Sequence, residues 1–233
     1  MDHSVSVIIA VHNGERYLAQ AMSSVLAQTL RPAELIVVDD GSTDASAEIA
    51  ETHAVITRAF RTDTEQKPRR VCVRQAHSGQ PSALNAGVRR ATGTLLAFLD
   101  ADDLWQDDKL SHQSRALQAD PRVDMVFGLA RQFRDPPGQA TATRALLPAK
   151  VPGAILIRRE AFERVGEFRE DLSIGSAIEW YSRASDLGLR EIVLDAVVLE
   201  RRIHGANLTM TASSAKDYTS LVRTILTRRR GTT

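Results

Sequence analysis

The sequence predicts a single α/β domain built on a central, mostly parallel, twisted sheet with helices on both faces. Two observations carry this prediction. In the first half of the chain, short runs of aliphatic residues alternate with amphipathic segments in the order strand, helix, strand, helix, strand. Each run is apolar throughout instead of alternating with polar residues, which is typical of parallel strands covered by helices on both faces.

The first half of the chain supplies four predicted strands and three predicted helices. Apolar residues at helical spacing predict a helix over 16–28, and N-cap residues after the second strand predict another that ends near Glu51. In the third helix, Pro81 suits the first turn and Gly93 the end. Residues 58–70 are polar and aperiodic, which predicts a loop. The predicted strands are 5–11, 34–40, 71–73 and 94–103.

The second half continues the alternation and ends in a basic segment. Residues 131–150 hold three of the eight prolines and show no period, which predicts a long loop of the kind that is usually functional or mobile. We expect a C-terminal helical basic tail over 212–233, after the domain proper. The other predicted elements are a helix over 108–120, a strand over 123–130, a strand and short helix over 153–168, a helix over 178–187 and a strand over 191–200.

The composition fits a folded enzyme-sized domain and argues against several classes of protein. Hydrophobic residues make up 43% of the 233 residues and charged residues 25%, which is enough for a packed core. The net charge of +1 argues against a dedicated nucleic-acid binder. The single cysteine, Cys72, rules out an internal disulfide. No segment resembles a signal peptide or the run of about 20 apolar residues that spans a membrane, so we expect a cytoplasmic protein.

Polar groups follow three of the predicted strands, at 12–13, 39–40 and 100–103. Because the carboxyl ends of parallel strands meet at one edge of the sheet, these groups should converge where open α/β sheets bind ligands. Clustered carboxylates repel one another unless a cation lies among them, and Mg²⁺ and Mn²⁺ prefer oxygen ligands and bring phosphates with them. The alternative for 100–103 is a solvated turn, since a lone D-x-D motif is common by chance.

Four blocks of the first half and one of the second resemble family 2 glycosyltransferases of the GT-A fold, a Rossmann-like domain. The blocks are "VSVIIAVHNGERYLAQAMSSVLAQT", "ELIVVDDGSTD", "GQPSALNAG", "ATGTLLAFLDADDLW" and "GAILIRREAFERVGEF". The resemblance covers roughly 4–207. It implies a GT-A domain over 1–211, with a donor-binding half at about 1–105 and an acceptor half at about 106–211.

The resemblance also implies an activity and a set of site residues. A sugar would pass from a nucleoside diphosphate donor, a UDP-sugar by expectation, to an acceptor that is a glycan, lipid, peptide or small molecule, with inversion at the anomeric carbon. Asp102 and Asp103 of the DXD motif would hold Mn²⁺ or Mg²⁺. The segment "RRIH" would close over the nucleotide. The residues expected to bind the donor are Ala10, His12, Glu15, Asp40, Asn85, Asp100, Asp102, Arg202 and His204.

Two positions depart from the family pattern. Leu84 stands where the family usually carries an arginine, and Ser176 and Ala177 stand where an acidic pair with the catalytic base is expected. Glu179 follows two residues later and is our candidate base, with an ordinary helix carboxylate as the alternative. Trp180 beside it is a candidate for stacking on the acceptor sugar, with a core position as the alternative.

Three other functions stay open from the sequence. The missing acidic pair favours a catalytically weak or non-catalytic protein that binds a nucleotide-sugar. A nucleotidyltransferase would share the fold and a metal-binding aspartate, and "VVDDG" alone suggests a receiver-like module. The basic face of the tail at 212–233 would suit peripheral contact with an anionic membrane, or packing on its own domain.

Overall fold

The computed structural model describes residues 4–52, 68–134, 147–148, 150–172 and 174–204, and it has the predicted α/β architecture. The helices are α1 (Leu18–Leu26), α2 (Ser46–Thr52), α3 (Gln80–Arg90), α4 (Lys109–Ala119), α5 (Arg159–Val165) and α6 (Ser176–Asp186), with a 3₁₀ turn at Pro152–Ala154. The strands are β1 (Val5–Val11), β2 (Glu34–Asp40), β3 (Arg69–Gln75), β4 (Leu95–Asp100), β5 (Leu104–Trp105), β6 (Met125–Arg134), β7 (Leu147–Pro148), β8 (Leu156–Arg158) and β9 (Glu191–Ile203). Within these residues, no helix is both long enough and apolar enough to cross a membrane.

The strands form one mixed sheet in the order β3-β2-β1-β4-β8-β6-β9-β5, with β7 paired to β6. Strands β1 to β4 are parallel, and β8 runs against both β4 and β6. Because β9 is parallel to β6, its carboxyl end lies on the same side of the sheet as those of β1, β2 and β4. Six of the nine described strands therefore run the same way, in agreement with the predicted mostly parallel sheet.

The sheet divides the core into two layers, and β1 shows why its sequence is almost entirely apolar. Val7 and Ile9 face the layer formed with α1 and α4, whereas Ile8 and Ala10 face the layer formed with α3, α5 and α6. All seven residues of β1 are buried. A strand that is covered on both faces favours apolar residues at every position, and its one polar residue, Ser6, donates its hydroxyl to the carboxylate of Glu34 at 2.6 Å.

Several boundaries differ from the prediction. Helix α3 ends at Arg90, and Ala91 is already extended, so Gly93 does not close the helix. Gly93 instead lies against the start of β1, where an added Cβ would stand 2.6 Å from the backbone oxygen of Ser4. Strands β3, β6 and β9 are longer than predicted because each pairs with a neighbour beyond its apolar centre. The predicted tail at 212–233 lies outside the described residues.

Candidate active site

A cavity of about 620 Å³ opens at the edge of the sheet where β1, β2, β4 and β9 end. The segment after β1, the start of α3 and the turn after β4 line it. Five of the residues predicted to bind the donor face this cavity, namely Ala10, His12, Asp40, Asp102 and His204. The convergence expected from the strand ends is therefore present in the structure.

The loops that follow β1 and β2 are fastened to each other. Asn13 has a positive φ of 51°, a conformation that asparagine tolerates better than most residues. Its side-chain oxygen accepts a hydrogen bond from the backbone N–H of Thr43 at 2.8 Å, and its own N–H donates to Oγ of Ser42 at 3.0 Å. Gly14 donates to Oγ of Ser46 at 2.8 Å. These bonds fix one wall of the cavity.

Glu15 takes part in the hydrogen bonds between these two loops and does not line the cavity. Its carboxylate accepts the backbone N–H of Ala45 at 2.9 Å, and its backbone N–H donates to the carboxylate of Asp44 at 3.0 Å. The resemblance implies that Glu15 binds the donor, but Glu15 lies outside the cavity lining. The carboxylate instead accepts a backbone N–H at the start of α2, where the first N–H groups of the helix have no partner within it.

Asp40 lies at the end of β2 with its carboxylate buried and fully bonded. Oδ1 accepts from Nε2 of Gln75 at 2.7 Å and from the N–H of Ser78 at 2.8 Å. Oδ2 accepts from the N–H of Gly79 at 2.8 Å and lies 2.9 Å from Nδ1 of His77. Burial raises the pKa of Asp40, but these hydrogen bonds together outweigh it and hold the pKa below the usual value. Asp40 is therefore an anion at neutral pH.

Two histidine rings lie at the same end of the cavity. His12 and His77 are stacked, with ring centroids 4.0 Å apart and an interplanar angle of 27°. Nδ1 of each ring lies within hydrogen-bond distance of the backbone oxygen of Asp40, at 2.8 Å for His12 and 3.1 Å for His77. The result is a flat aromatic surface beside a buried carboxylate.

Asp102 and His204 face the other part of the cavity as a pair. Oδ2 of Asp102 lies 2.9 Å from Nε2 of His204, whose ring is 5.1 Å from that of Tyr17. Asp100 stands behind them and accepts a hydrogen bond from Nε2 of Gln80 at 2.7 Å. Burial, followed by the charge of Asp102, raises the pKa of Asp100 to about 6. This part of the cavity therefore concentrates negative charge.

Asp103 and Arg202 are turned away from the cavity, contrary to the sequence-based assignment. Oδ1 of Asp103 accepts the backbone N–H of Arg202 at 2.8 Å, and both side chains are buried. The guanidinium of Arg202 stacks on the rings of Tyr17 and Phe133, at 4.3 and 4.7 Å. Its Nε donates to the backbone oxygen of Asp102 at 2.8 Å. Arg202 therefore supports the turn that carries Asp102, and Asp103 is placed to anchor that turn and not to reach a metal in the cavity.

Glu179 does not reach the cavity either. Its side chain is 2% exposed and accepts a hydrogen bond from Nε of Arg183, four residues along α6, at 2.9 Å. The other guanidinium nitrogens of Arg183 donate to the backbone oxygens of Val165 and Glu167. The carboxylate of Glu179, our candidate base, thus faces the packing between α5 and α6 and lies outside the cavity lining.

Trp180 and Asn85 are also structural in their observed positions. Trp180 is 1% exposed, stacks on Phe162 and donates its indole N–H to the backbone oxygen of Gly166, so it offers no face to an acceptor. Asn85 is buried and exchanges two hydrogen bonds with the backbone of Phe168, at 2.8 and 2.9 Å. Both residues were assigned to the site because they lie in or next to recognised motifs. Their positions on the helices direct both side chains into the core instead.

The residues present fit a divalent cation at Asp102 and His204. A carboxylate oxygen and an imidazole nitrogen are both ligands that Mn²⁺ accepts, and both line the cavity. Within the described ranges, no group of three or more acidic, histidine or cysteine side chains forms a closed metal site. Two protein ligands leave coordination positions for phosphate oxygens, which is how Mg²⁺ and Mn²⁺ are held in nucleotide sites.

Gln80 and Tyr17 line the cavity although the sequence did not single them out. Both follow strand ends that were recognised, Tyr17 in "HNGERY" and Gln80 at the first position of α3. Extending the search by one turn into the helix after each strand would have found them. Leu84, where the resemblance expects an arginine, is buried in the core.

The α/β fold, with a cavity at the carboxyl ends of its parallel strands, is that of a GT-A domain. The chain belongs to glycosyl transferase family 2, whose family profile matches residues 6–174. The recognition of the family and fold from the sequence is thereby confirmed.

Relatives of the chain are named as glycosyltransferases. An uncharacterized glycosyltransferase of Nostoc sp. is 43% identical over 126 residues, which cover 54% of this chain and 36% of the relative. One of Rickettsia prowazekii is 28% identical over 242 residues, which cover 93% of this chain and 70% of the relative. The chain therefore spans between about a third and 70% of the length of these two relatives.

Solved structures share the fold. Residues 1–349 of S. aureus TarS in complex with UDP-GlcNAc superpose with a TM-score of 0.73 at 19% identity, over 95% of this chain and 65% of that one. The mannosyltransferase PcManGT of Pyrobaculum calidifontis, in complex with GDP-Man and Mn²⁺, gives 0.71 at 20% identity, over 96% and 65%. At these identities the likeness is one of fold.

Proposed function

We propose that this chain binds a nucleoside diphosphate sugar, with UDP as the nucleotide, and transfers the sugar to an acceptor with inversion at the anomeric carbon. The observation that carries the proposal is the cavity itself. At one part of the cavity, the buried carboxylate of Asp40 lies beside the stacked rings of His12 and His77. At another part, the carboxylate of Asp102 is paired with the imidazole of His204. These are the groups that a base and a diphosphate require.

Asp40 supports the choice of nucleobase. A carboxylate accepts hydrogen bonds and donates none, so it matches a base with an N–H on its hydrogen-bonding edge. Uracil and guanine have a ring N–H there, whereas the ring nitrogen of cytosine and adenine accepts, and these two bases donate only through their exocyclic amino groups. The solved relatives contain UDP, UDP-GlcNAc and GDP-Man, which agrees with this chemistry.

Asp102 and His204 would hold the cation together with the diphosphate of the donor. A bound divalent cation stabilises the charge that develops on the leaving diphosphate. Arg202 keeps the turn of Asp102 in place from below, through its bond to the Asp102 carbonyl. Gln80 fixes the Asp100 carboxylate beside the pair at 2.7 Å. The protein thus supplies a pre-organised acidic site for the phosphates.

Thermal unfolding with a panel of nucleotides tests this function. We expect UDP with Mn²⁺ to raise the melting temperature more than UDP or Mn²⁺ alone, because cation and diphosphate would bind together at Asp102. At a ligand concentration of about 100 times Kd, the stabilisation is about 2.7 kcal/mol. Asp102→Asn should remove the Mn²⁺-dependent part. Asp107→Asn is the matched control, because this aspartate is exposed and does not line the cavity. If no nucleoside diphosphate raises the melting temperature, the proposal is wrong.

A second candidate function is nucleotide-sugar binding without efficient transfer. It is favoured by the start of α6, where Ser176 and Ala177 stand at the expected acidic pair and Glu179 is buried in an ion pair. Release of UDP from UDP-sugars, measured with and without candidate acceptor extracts, distinguishes the two functions. Donor binding without release of UDP under any condition would favour the second.

A further inference from the structure

We propose that His77 is a placeholder for the nucleobase, whose imidazole occupies the position on Asp40 that the base takes when the nucleotide binds. The inference rests on the proposed function, since it concerns how the nucleotide of the donor is recognised. It makes His77 a specificity-determining residue that competes with the ligand for one carboxylate oxygen.

The carboxylate of Asp40 has no acceptor site to spare. A carboxylate offers about four lone-pair positions. Gln75 and Ser78 donate to Oδ1 and Gly79 donates to Oδ2, at 2.7 to 2.8 Å. Nδ1 of His77, which also bonds the backbone oxygen of Asp40, stands 2.9 Å from Oδ2 and covers its remaining side. A base that donates a hydrogen bond to Asp40 must therefore displace one of these four donors.

Two of the other three donors are backbone groups held by the fold, and the third is the side chain of Gln75 on β3. Gln75 pairs with Asp40 in the register of β2 and β3. The N–H groups of Ser78 and Gly79 belong to the backbone that leads into α3, where Gly79 has a φ of +92°. The neighbouring backbone is tightly packed, since a Cβ on Gly41 would lie 2.7 Å from the backbone nitrogen of His77. The N–H groups of Ser78 and Gly79 can leave Asp40 only if the backbone moves, and the half-buried side chain of Gln75 does not line the cavity.

The imidazole of His77 is the side-chain donor that faces the cavity, and side-chain rotation can remove it. Its side chain is 58% exposed, whereas that of Asp40 is 3% exposed, and it lines the cavity. Rotamer changes of exposed side chains take place within nanoseconds and need no backbone movement. Among the four donors, His77 is therefore the one that a ligand can displace at low cost.

The ring of His77 already makes the two contacts that a base would make. It stacks on His12 with centroids 4.0 Å apart, and it presents a ring N–H to Oδ2 of Asp40. Uracil has the same two features, a flat ring and a ring N–H. When His77 leaves, the face of His12 and the lone pair of Asp40 become available together. The exchange thus replaces one flat N–H donor by another.

This exchange predicts a difference between nucleotides. UDP competes with His77 for Oδ2, because the uracil ring N–H donates to a carboxylate. CDP does not compete for that oxygen, because the equivalent cytosine nitrogen is an acceptor. Removing the imidazole should therefore strengthen the binding of UDP more than that of CDP, because both bases gain the face of His12 but only uracil gains the acceptor on Asp40.

Isothermal titration of UDP and CDP at constant Mn²⁺, into the wild type and three variants, tests the inference. We expect His77→Ala to bind UDP about three- to tenfold more tightly, since the contact of His77 with Asp40, comparable to one ordinary hydrogen bond, no longer has to be broken. His77→Asn keeps a donor for Asp40 and should fall between the two. His12→Ala is the matched control: it removes the neighbouring imidazole without freeing Oδ2, so it should weaken UDP binding.

The outcomes separate the inference from the function on which it rests. If UDP binds the wild type but His77→Ala leaves its affinity unchanged or lowers it, His77 is not a placeholder. An equal gain for UDP and CDP would also overturn the inference, because it would show relief of crowding and not a freed acceptor. If neither the wild type nor any variant binds a nucleoside diphosphate, the proposed function fails and the inference with it.

Discussion

Replacing Glu179 by glutamine separates a structural role from a catalytic one. In the structure the carboxylate pairs with Arg183, which in turn binds the backbone of Val165 and Glu167, so the pair joins α6 to the end of α5. Breaking a buried ion pair costs about 3–5 kcal/mol. Glutamine keeps one acceptor oxygen, and Arg183 is 21% exposed and keeps both carbonyl partners. We therefore expect a loss of about 1–2 kcal/mol.

Thermal unfolding followed by circular dichroism measures this loss. For a domain of this size, 1 kcal/mol corresponds to about 2–4 °C, so the melting temperature should fall by about 2–8 °C. The matched control is Glu163→Gln, which removes another pair with an arginine four residues away, Arg159, at 3.9 Å and with the glutamate 63% exposed. Exposed pairs of this kind contribute about 0.3–0.5 kcal/mol, so the control should move little.

Donor turnover of the same samples, divided by the folded fraction, completes the test. A structural Glu179 predicts that turnover per folded molecule stays within about threefold of the wild type, since the substitution leaves the cavity unchanged. An unchanged melting temperature together with loss of transfer would refute the reasoning. That result would restore Glu179 as the base and would require the carboxylate to leave Arg183 during the reaction.

Three further predictions concern stability. Gly93→Ala should lower the free energy of unfolding by about 1–3 kcal/mol in urea, because its Cβ meets the Ser4 oxygen; a loss below about 0.5 kcal/mol would contradict this packing. Burial raises the pKa of Glu34, but its hydrogen bonds outweigh this and lower the pKa below 4.5. Its contribution to the free energy of unfolding should therefore be full above about pH 4.5 and be lost as the pH falls through the lowered pKa. Acid unfolding curves of Glu34→Gln should lack that dependence. Burial holds the pKa of Lys109 well below its usual value, so stability should rise with pH towards 10.5, and Lys109→Met should flatten the rise; identical slopes would contradict it.

The sequence predicts those parts of the site that strand ends determine. His12, Asp40 and Asp102 stand at or just beyond the ends of β1, β2 and β4, and all three face the cavity. A buried strand leaves little freedom at its end, since its register with both neighbours fixes where the chain emerges. Recognition of apolar runs was therefore enough to bring these residues together.

The sequence does not predict the direction of side chains on helices and on the last strand. Glu179, Trp180 and Asn85 follow or lie within recognised motifs, yet each faces the core. Which face of a helix is buried depends on the elements that pack against it, and α6 packs with α5 on the sheet. The partner of Glu179 was visible as Arg183 four residues on, a spacing typical of a helix ion pair.

Arg202 shows how the buried residues around the cavity serve those that face it. Its backbone binds Asp103, its Nε binds the carbonyl of Asp102, and its outer nitrogen donates to Gln20 at 2.7 Å. A lysine would keep the charge but could not make this set of bonds.

If Arg202 positions Asp102, Arg202→Lys should lower both the melting temperature and the affinity for UDP with Mn²⁺. The loss of affinity should be the same at low and high salt. If Arg202 instead contacted the diphosphate, lysine would retain much of the affinity at low salt and lose it as salt screens the charge. Titrations at about 0.05 M salt, where the Debye length is longer than about 8 Å, and at about 0.5 M salt, where it is shorter, distinguish the two roles.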